Sequence, residues 1–218
     1  MSPARIRTVK RGRFVTLEGI EGAGKSTVAK FISAWLARRS IPARLTREPG
    51  GTPLAEMLRG IVLERGGEPM SAVSETLLMF AARGVHLENL IRPALEHGEW
   101  VICDRFTDAT RAYQGAGRGV DAELIETLAR AVHGELAPDC TLLLDLPVSV
   151  GLARARGRAG SGAPQDRFEE ETAAFFERVR SGYLELARRE PGRLHIVDAA
   201  AGRTTVEAQV SAVLEKLL

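Results

Sequence analysis

Cysteine, aromatic residues and long apolar runs are scarce in this chain of 218 residues. The two cysteines, Cys103 and Cys140, each adjoin an apolar run, which indicates buried thiols in a reducing compartment and excludes a disulfide framework. No apolar stretch is long enough to span a bilayer, and no apolar signal-peptide segment follows the basic N-terminus. We therefore expect a cytoplasmic protein without a membrane partner.

A large net charge is lacking as well. Thirty Lys and Arg residues stand against 28 Asp and Glu residues, and the formal net charge is +2. A protein that coats nucleic acid needs a more basic surface, so we expect no nucleic-acid partner and only a local anion site. The basic residues among 1–13 are interpreted as a solvated N-terminal arm. The chain, 1–218, is long enough for one hydrophobic core and is predicted to be a single domain.

Short apolar runs alternate with longer segments of helical periodicity, a pattern typical of an α/β fold. Because the short runs are nearly all apolar, we expect a five-stranded parallel sheet, buried on both faces by helices. The strands are predicted at residues 14–18, 43–46, 100–103, 141–145 and 194–197. The helices are predicted at 25–39, 53–64, 71–97 with a bend before Pro93, 122–133, 148–156, 169–189 and 204–218. Two glycine-rich segments, 114–119 and 157–165, are predicted to be mobile loops.

A phosphate-binding motif directly follows the first strand. Residues 19–26 read GIEGAGKS, which matches G-x-x-x-x-G-K-[ST] in the order strand, loop, helix. Glycines let successive backbone N–H groups surround an anion, the following helix presents its positive end, and Lys25 adds a point charge. The motif predicts the P-loop NTPase fold. ATP is expected to contact the residues of this loop: Gly19, Ile20, Glu21, Gly22, Ala23, Gly24, Lys25, Ser26 and Thr27.

Two oxygen ligands for Mg²⁺ are predicted beside this loop. Ser26 supplies a hydroxyl, and Asp104 ends the third strand, where a carboxylate can hold the ion. Asp145 ends another strand and competes for this role, although the turn at Pro147 favours a structural one. Ligands of an open parallel sheet bind at the carboxyl ends of its strands, which favours Asp104 next to the phosphate loop.

A second group of cations favours a phosphoryl transferase over a nucleotide-dependent switch. The N-K-x-D segment of guanine-specific GTPases is absent, as is a D-x-x-G segment after the metal strand. Arginines instead stand at strand ends, on the long helix and around the second glycine-rich segment: Arg47, Arg83, Arg105, Arg154, Arg156, Arg158 and Arg167. Such a set suits two phosphate groups that approach each other under a short mobile lid at about 154–167.

Five segments, taken in order, resemble those of bacterial thymidylate kinases. They are GIEGAGKST at 19–27, TREPGGT at 46–52, ETLLMFAAR at 75–83, DRFTDATRAYQGAGRG at 104–119, and DLPVSVGLARARGR at 145–158 leading to DRFE at 166–169. Many ATPases share the first, whereas the second and fourth together are specific. The resemblance covers nearly the whole chain. It implies phosphoryl transfer from ATP to dTMP with Mg²⁺, giving dTDP and ADP for dTTP biosynthesis, by a homodimer.

The same resemblance implies roles for single residues. Lys25, Arg105, Glu21 and Arg158 are expected to be catalytic, with Arg158 supplying charge in the transition state and Arg154 and Arg156 as open alternatives. Arg154 is also expected to contact ATP. Phe80 would stack on thymine, Arg83 would bond its carbonyl edge, and Tyr113 with Gln114 would close around the deoxyribose and base. The expected dTMP-binding set is Arg47, Glu48, Phe80, Arg83, Arg105, Tyr113 and Gln114, with Glu48 and Arg105 on the side of the acceptor phosphate.

Two other functions stay open on the residues alone. One is a kinase for another monophosphate, such as UMP, CMP or a guanylate, against which the 80–83 helix segment and AYQG argue. The other is a regulatory switch that hydrolyses ATP slowly. The acceptor phosphate is mostly dianionic at neutral pH, because its second pKa is about 6, so a kinase of this kind needs no general base.

Overall fold

Five parallel strands form one sheet in the order β2-β3-β1-β4-β5. The computed structural model describes residues 10–64, 68–159, 168 and 171–218, without the side chains of 158 and 159. The strands are β1 (Phe14–Glu18), β2 (Ala43–Arg47), β3 (Trp100–Asp104), β4 (Cys140–Asp145) and β5 (Leu194–Asp198). All five predicted strands are therefore confirmed, each within one residue, and the fold is the α/β class predicted.

Helices connect the strands at positions close to those predicted. They are α1 (Lys25–Ala37), α2 (Pro53–Leu63), α3 (Ala72–His86), α4 (Arg92–Glu96), α5 (Thr107–Thr110), α6 (Ala122–His133), α7 (Val148–Ala159), α8 (Ala173–Arg189) and α9 (Arg203–Leu214). Side chains cap the N-termini of several of these helices, among them α3 and α6. Ser71 accepts a hydrogen bond from the backbone N–H of Ser74, and Asp121 accepts one from Glu123.

The long segment before β3 bends where the sequence predicts. Leu87–Ile91 forms a π-helical turn between α3 and α4, and Pro93 lies in the first turn of α4. A proline lacks the N–H that would continue the helical bonding pattern, so a widened turn precedes it. Gly98, with φ of 78°, follows the last turn as expected for a helix stop.

Successive apolar side chains along a strand point to opposite faces of the sheet and form a hydrophobic core on each face. Val15 and Ile102 pack in a cluster that includes Ile32 of α1, whereas Phe14 and Val101 pack with a cluster that reaches the turn after α3. Helices therefore cover both faces. The expectation that every strand is buried on both faces is wrong for the two edge strands, where Leu45 of β2 and Ile196 of β5 are exposed.

The prediction of a mobile loop at 114–119 is also wrong. Arg111–Gly117 forms a π-helical segment that packs against α8. A Cβ on Gly117 would lie 2.7 Å from the ring of Phe175, so this glycine serves close packing rather than flexibility. The other predicted loop, 157–165, falls mostly outside the described residues.

Both cysteines are buried and free, as predicted. Within the described ranges, no helix is long and apolar enough to cross a membrane.

Candidate active site

A cavity of about 320 Å³ opens where β1 and β3 end. β1 and β3 are neighbours in the sheet, and their connections lead in opposite directions: β1 continues to β2 beyond β3, and β3 continues to β4 beyond β1. Open parallel sheets bind ligands at such a point. The predicted site residues that line the cavity are Glu21, Gly22, Ala23, Gly24, Lys25, Ser26, Thr27, Arg47, Glu48, Arg83, Asp104, Arg105, Tyr113 and Gln114.

The loop between β1 and α1 needs glycine for two separate reasons. Gly22 has φ of 76°, and a Cβ on it would lie 2.0 Å from the carbonyl oxygen of Gly151 in α7. Gly24, with φ of 91°, is the N-cap of α1. Only glycine adopts these conformations without strain, and the result is a row of backbone N–H groups ahead of the helix.

Lys25 is held inside this loop. Its side chain is buried, and Nζ donates to the carbonyl oxygens of Gly19 and Ile20, each at 3.1 Å. Burial, together with the charge of Arg105, lowers the pKa of the Lys25 ammonium. Gly19 and Ile20 thus anchor the lysine, while the lining residues of the loop are 21–27.

Asp104 and Ser26 face the same cavity. Oδ1 of Asp104 is buried and has no hydrogen-bond partner within the described residues, whereas the hydroxyl-bearing Ser26 is exposed. A buried carboxylate oxygen without a partner fits a cation ligand. A hydroxyl and a carboxylate are the hard oxygen donors that Mg²⁺ binds together with phosphate oxygens. The residues present therefore fit a magnesium ion. Asp145, the competing carboxylate, is held instead by Arg180 through two bonds of 2.7 and 2.9 Å.

Arg105 adopts a left-handed backbone conformation, with φ of 72°. Its Nη2 donates to Glu21 Oε1 at 2.5 Å and to the Tyr113 hydroxyl at 2.9 Å. Its Nη1 donates to the Gly19 carbonyl at 3.1 Å and to the Tyr183 hydroxyl at 3.3 Å. Such a conformation in a non-glycine residue persists only where surrounding bonds hold it, and it is typical of functional sites.

A buried carboxyl group holds the backbone next to Arg105. Glu18 Oε1 accepts from the N–H of Phe106 at 2.8 Å, and Oε2 accepts from the Tyr183 hydroxyl at 2.7 Å. Burial and, to a lesser degree, the charge of Asp108 raise the pKa of Glu18 to about 8. The carboxyl group is therefore mostly protonated at neutral pH.

Glu18→Gln is expected to flatten the dependence of stability on pH. The Glu18 carboxyl titrates at its ordinary pKa of 4.5 when unfolded and at about 8 when folded. Between these values the folded state binds more protons, so the free energy of unfolding falls as the pH rises from about 4.5 to about 8. Glutamine does not titrate and keeps an acceptor for Phe106 N–H. Urea denaturation at about pH 5.5 and about pH 8 measures the effect. If the free energy of unfolding fell by the same amount between these pH values in Glu18→Gln and in the parent, the prediction would be contradicted.

Arg83 lines the cavity and carries one buried hydrogen-bond donor without a partner among the described residues. Its Nε donates to Glu48 Oε2 at 2.6 Å, and its Nη2 donates to the Phe106 carbonyl and to Thr110 Oγ1, each at 3.1 Å. Nη1 is buried and has no partner in the described part of the chain. Buried donors in proteins almost always have a hydrogen-bond partner. A ligand oxygen can therefore be the partner of Nη1 when a ligand is bound.

Glu48 reaches the cavity wall with its carboxylate already occupied. Its side chain is buried; Oε2 accepts from Arg83, and Oε1 contacts His86 Nδ1 at 3.0 Å. A carboxylate repels a phosphate and both its oxygens are bonded here. Glu48 thus lines the cavity with a carboxylate that faces Arg83 and His86, and its expected place beside the acceptor phosphate stays a prediction.

Phe80 does not line the cavity, among whose described walls Met79 supplies the apolar surface of α3. Phe80 is only 2% exposed and packs with Val120, Ile125 and Ala129. Its ring lies under the guanidinium of Arg83, 4.7 Å from Cζ. The expected stacking of Phe80 on the base is thus corrected, because the packing of α3 turns the neighbouring side chain toward the ligand space.

Tyr113 and Gln114 stand on the π-helical segment and line the cavity as expected. Gln114 Nε2 donates to Glu75 Oε1 at 2.7 Å. Arg47 also reaches the cavity, but it is more than half exposed and pairs with Glu56 at 3.0 Å.

The lid arginines are only partly described. Arg154 Nη1 donates to the carbonyl of Ala199 at 2.8 Å, beside the turn that follows β5. Arg156 lines a second, smaller cavity next to Glu21. The backbone of 158 belongs to α7, but the side chain of Arg158 lies outside the described residues, as does Arg167. The role expected for Arg158 stays a prediction.

Sequence reasoning did not find Arg59, Met79 or Leu63 as cavity residues. Arg59 donates to the Pro49 carbonyl at 2.9 Å and so brings α2 to the loop after β2. A signal existed for Met79 alone, since it precedes Arg83 by one helical turn and so shares its face.

Comparison with known proteins agrees with this geometry. The family model described as Thymidylate kinase matches residues 17–210. The chain is 54% identical over 207 residues to the thymidylate kinase of Alkalilimnicola ehrlichii, covering 95% of this chain and 93% of that protein. It is also 54% identical to the thymidylate kinase of Pseudomonas syringae pv. syringae, covering 95% and 97%. The crystal structure of thymidylate kinase from Ehrlichia chaffeensis superposes with a TM-score of 0.74 at 32% identity, covering 94% of this chain and 99% of that one.

Proposed function

This chain belongs to the thymidylate kinase family and is an ATP-dependent kinase that converts dTMP to dTDP, and we propose that the cavity at the end of β1 is where the transfer occurs. One observation carries the assignment of the site. A phosphate loop with its lysine, a carboxylate oxygen that has no partner among the described residues, the buried Arg83 and the part-buried Arg105 all meet in one cavity. Two anionic substrates need this arrangement to come together.

On the ATP side, the loop N–H groups and Lys25 bind the triphosphate. The transferred γ-phosphoryl group carries its charge on outward oxygens, and fixed donors around it lower the barrier without reorganisation. Ser26 and Asp104 would hold Mg²⁺, which neutralises charge on the phosphates when it is bound.

On the acceptor side, Arg105 lies between the loop and Tyr113. The dTMP phosphate is already a nucleophile at neutral pH, so Arg105 orients it rather than deprotonates it. Glu21 and the Tyr113 hydroxyl, both bonded to Arg105, keep the guanidinium fixed in the free enzyme and face the deoxyribose. Met79, Arg83 and Gln114 form the base pocket.

An assay of ADP release tests this function. We expect release that depends strongly on dTMP, which a nucleotide-dependent switch would not show. A panel of monophosphates separates the related kinases: dTMP is the best substrate, dUMP is weaker because one methyl group is worth about 1 to 3 kcal/mol, and UMP, CMP and GMP are poor. A ribose form of TMP should react poorly, since Tyr113 leaves its 2′-hydroxyl without space or partner. Release independent of any monophosphate would exclude the proposal.

The protein acts as a homodimer in this proposal. Five apolar side chains stand exposed on the neighbouring helices α2 and α3, which pack against each other: Leu54, Met57, Ile61, Val73 and Leu77. Exposed apolar clusters of this kind mark protein interfaces. A second copy of the chain brings an identical surface, and the symmetric arrangement is the commonest in soluble oligomers.

Met57→Glu is expected to convert the dimer to a monomer. Met57 is 68% exposed, the most of these five residues, and a carboxylate there would have to lose its water in the interface. Sedimentation velocity at micromolar concentration reads the mass directly. Ile196→Glu is the matched control, because Ile196 is 53% exposed on the opposite edge of the sheet and should leave the dimer intact. A dimer that survives Met57→Glu would place the interface elsewhere.

The proposed compartment is the cytoplasm. Cys103 and Cys140 are both free and buried, and burial raises the pKa of the Cys140 thiol to about 12. Protonated, unpaired thiols are typical of a reducing compartment.

A further inference from the structure

We propose that Thr46 and His86, neither of which is among the described residues lining the cavity, are positioning residues that set Arg83 for recognition of the base. The inference rests on the proposed function, since it assigns to Arg83 the carbonyl edge of dTMP. It adds two residues, at the end of β2 and at the end of α3, to the machinery that selects the acceptor.

A continuous chain of hydrogen bonds connects the two residues to Arg83. Thr46 Oγ1 lies 2.6 Å from His86 Nε2, and His86 Nδ1 lies 3.0 Å from Glu48 Oε1. The other carboxylate oxygen, Oε2, accepts from Arg83 Nε at 2.6 Å. His86 is fully buried, and Glu48 and Arg83 are 4% and 3% exposed. Water therefore does not compete for the bonds among His86, Glu48 and Arg83, whereas the bond of Thr46 to His86 is part-buried.

The direction of the bonds follows from the chemistry of the groups. The Arg83 guanidinium donates to Glu48, whose carboxylate oxygens accept, so His86 Nδ1 donates to Oε1. In the neutral imidazole, Nε2 then accepts, which makes the Thr46 hydroxyl the donor. The Thr46 hydroxyl thus selects the tautomer of His86 that holds Glu48.

Holding Glu48 by both oxygens fixes the plane of its carboxylate and so the direction in which Arg83 Nε points. Arg83 Nη2 is held by the Phe106 carbonyl and Thr110 Oγ1. With these two edges of the planar guanidinium fixed, Nη1 keeps one orientation at the cavity wall, without a partner among the described residues. If His86 did not hold Oε1, the carboxylate could rotate and carry Arg83 with it.

The loop after β2 packs directly on the bond between Thr46 and His86. A Cβ on Gly51 would lie 2.4 Å from His86 Nε2 and 2.5 Å from Thr46 Oγ1. The same loop contains Glu48. The loop therefore contacts α3 through its backbone at Gly51 and through the side chain of Glu48. This close packing leaves no room for an alternative partner of the imidazole.

A metal site is the other reading of this cluster, and the contacts argue against it. Donor atoms of Glu48, His86 and Cys103 lie within 4.8 Å of one another. However, the Arg83 guanidinium bonds the carboxylate, and burial raises the pKa of the Cys103 thiol well above its ordinary value. A cation would have to displace Arg83 and deprotonate a buried thiol.

The test compares Thr46→Val with Thr46→Ser in the full-length enzyme. Valine has the shape of threonine without the hydroxyl, whereas serine keeps the hydroxyl as the matched control. We expect Thr46→Val to raise the KM for dTMP about 3- to 10-fold, while kcat and the KM for ATP stay within about 2-fold. Thr46→Ser should stay within about 2-fold of the parent in all three constants.

Substrate analogues distinguish action through Arg83 from general damage. The KM of two dTMP analogues, one without O4 and one without O2, is measured for the parent and for Thr46→Val. For each analogue, the KM of Thr46→Val is divided by the KM of the parent enzyme. If Thr46 acts through Arg83, this ratio falls to about 1 for the analogue that lacks the carbonyl bonded by Arg83. The proposal would be overturned if Thr46→Val left the KM for dTMP unchanged or lowered kcat alone. It would also be overturned if Thr46→Val raised the KM of both analogues as much as it raises the KM of dTMP.

A second pair of variants serves if Thr46→Val does not fold, as thermal unfolding will tell. His86→Leu removes both bonds and is expected to raise the dTMP KM about 10-fold or more. His86→Asn keeps an amide donor for Glu48 and should recover most of that loss. Equal KM values in the two variants would overturn the positioning role. If the parent enzyme itself shows no ADP release that depends on dTMP, the proposed function fails rather than this inference.

Discussion

Lys25→Met is expected to lower kcat by about 10² to 10³-fold, the loss typical of removing one fixed donor to a developing charge. Methionine has nearly the length of lysine but carries no charge, so the γ-phosphoryl oxygens would lose their nearest ammonium. The dTMP site is formed by other elements, and the KM for dTMP should change little. Steady-state kinetics with dTMP and ATP, together with calorimetric titration of dTMP, measure both effects.

The control for Lys25→Met is Lys30→Met, because Lys30 is exposed on the same helix. It removes the same charge from α1 without touching the cavity and should leave kcat within about 2-fold. Lys25 also bonds the carbonyls of Gly19 and Ile20, so thermal unfolding must show that the variant folds. A folded Lys25→Met enzyme with a nearly normal kcat would remove Lys25 from the catalytic centre.

Arg158→Ala is expected to lower kcat by at least about 100-fold, with little change in the KM for dTMP. An arginine that meets the transferred phosphoryl group is worth about 10³ to 10⁵ in rate, because it stabilises charge that exists only in the transition state. The backbone of 158 stands in the last turn of α7, one helical turn beyond Arg154. Single-turnover measurements at saturating substrates isolate this step from product release.

Arg154→Ala and Arg156→Ala are the comparisons that assign the lid role. Arg154 bonds the Ala199 carbonyl after β5, away from β3 and Arg105, so its loss should raise the KM for ATP more than it lowers kcat. Arg156 lines a separate cavity, so Arg156→Ala should lower kcat least among the three variants. A full kcat in Arg158→Ala, with a large loss in one of the other two, would transfer the role to that arginine.

The strands and the phosphate loop could be predicted because their signals are local. A buried parallel strand is a short apolar run, and each run in this chain became a strand of the sheet. The loop motif requires glycines at fixed spacing after a strand, and Gly22 shows why, since any Cβ there would overlap the backbone of Gly151. The place of Asp104 in the cavity could also be predicted, because open parallel sheets bind ligands at the carboxyl ends of their strands.

The misassigned features depend on packing between distant segments. A glycine-rich sequence favours a loop, but Gly117 is covered by Phe175 of α8, and the segment became helical. Phe80 and Met79 are neighbours on one helix, and only the contacts of α3 with α6 decide that the phenyl ring is buried while the thioether faces the cavity. Glu48 is buried, and its carboxylate is bonded by Arg83 and His86, which lie on a different element of the fold.

What the chain determines by itself is the order of its elements and the chemistry of its phosphate loop, since periodicity and spacing act over a few residues. Tertiary structure alone decides how the cations are aimed. Glu18 and Tyr183 are 165 residues apart, yet together they hold the backbone N–H of Phe106 and the guanidinium of Arg105. Direction of this kind comes from hydrogen bonds between elements that meet only when the sheet and its helices have packed.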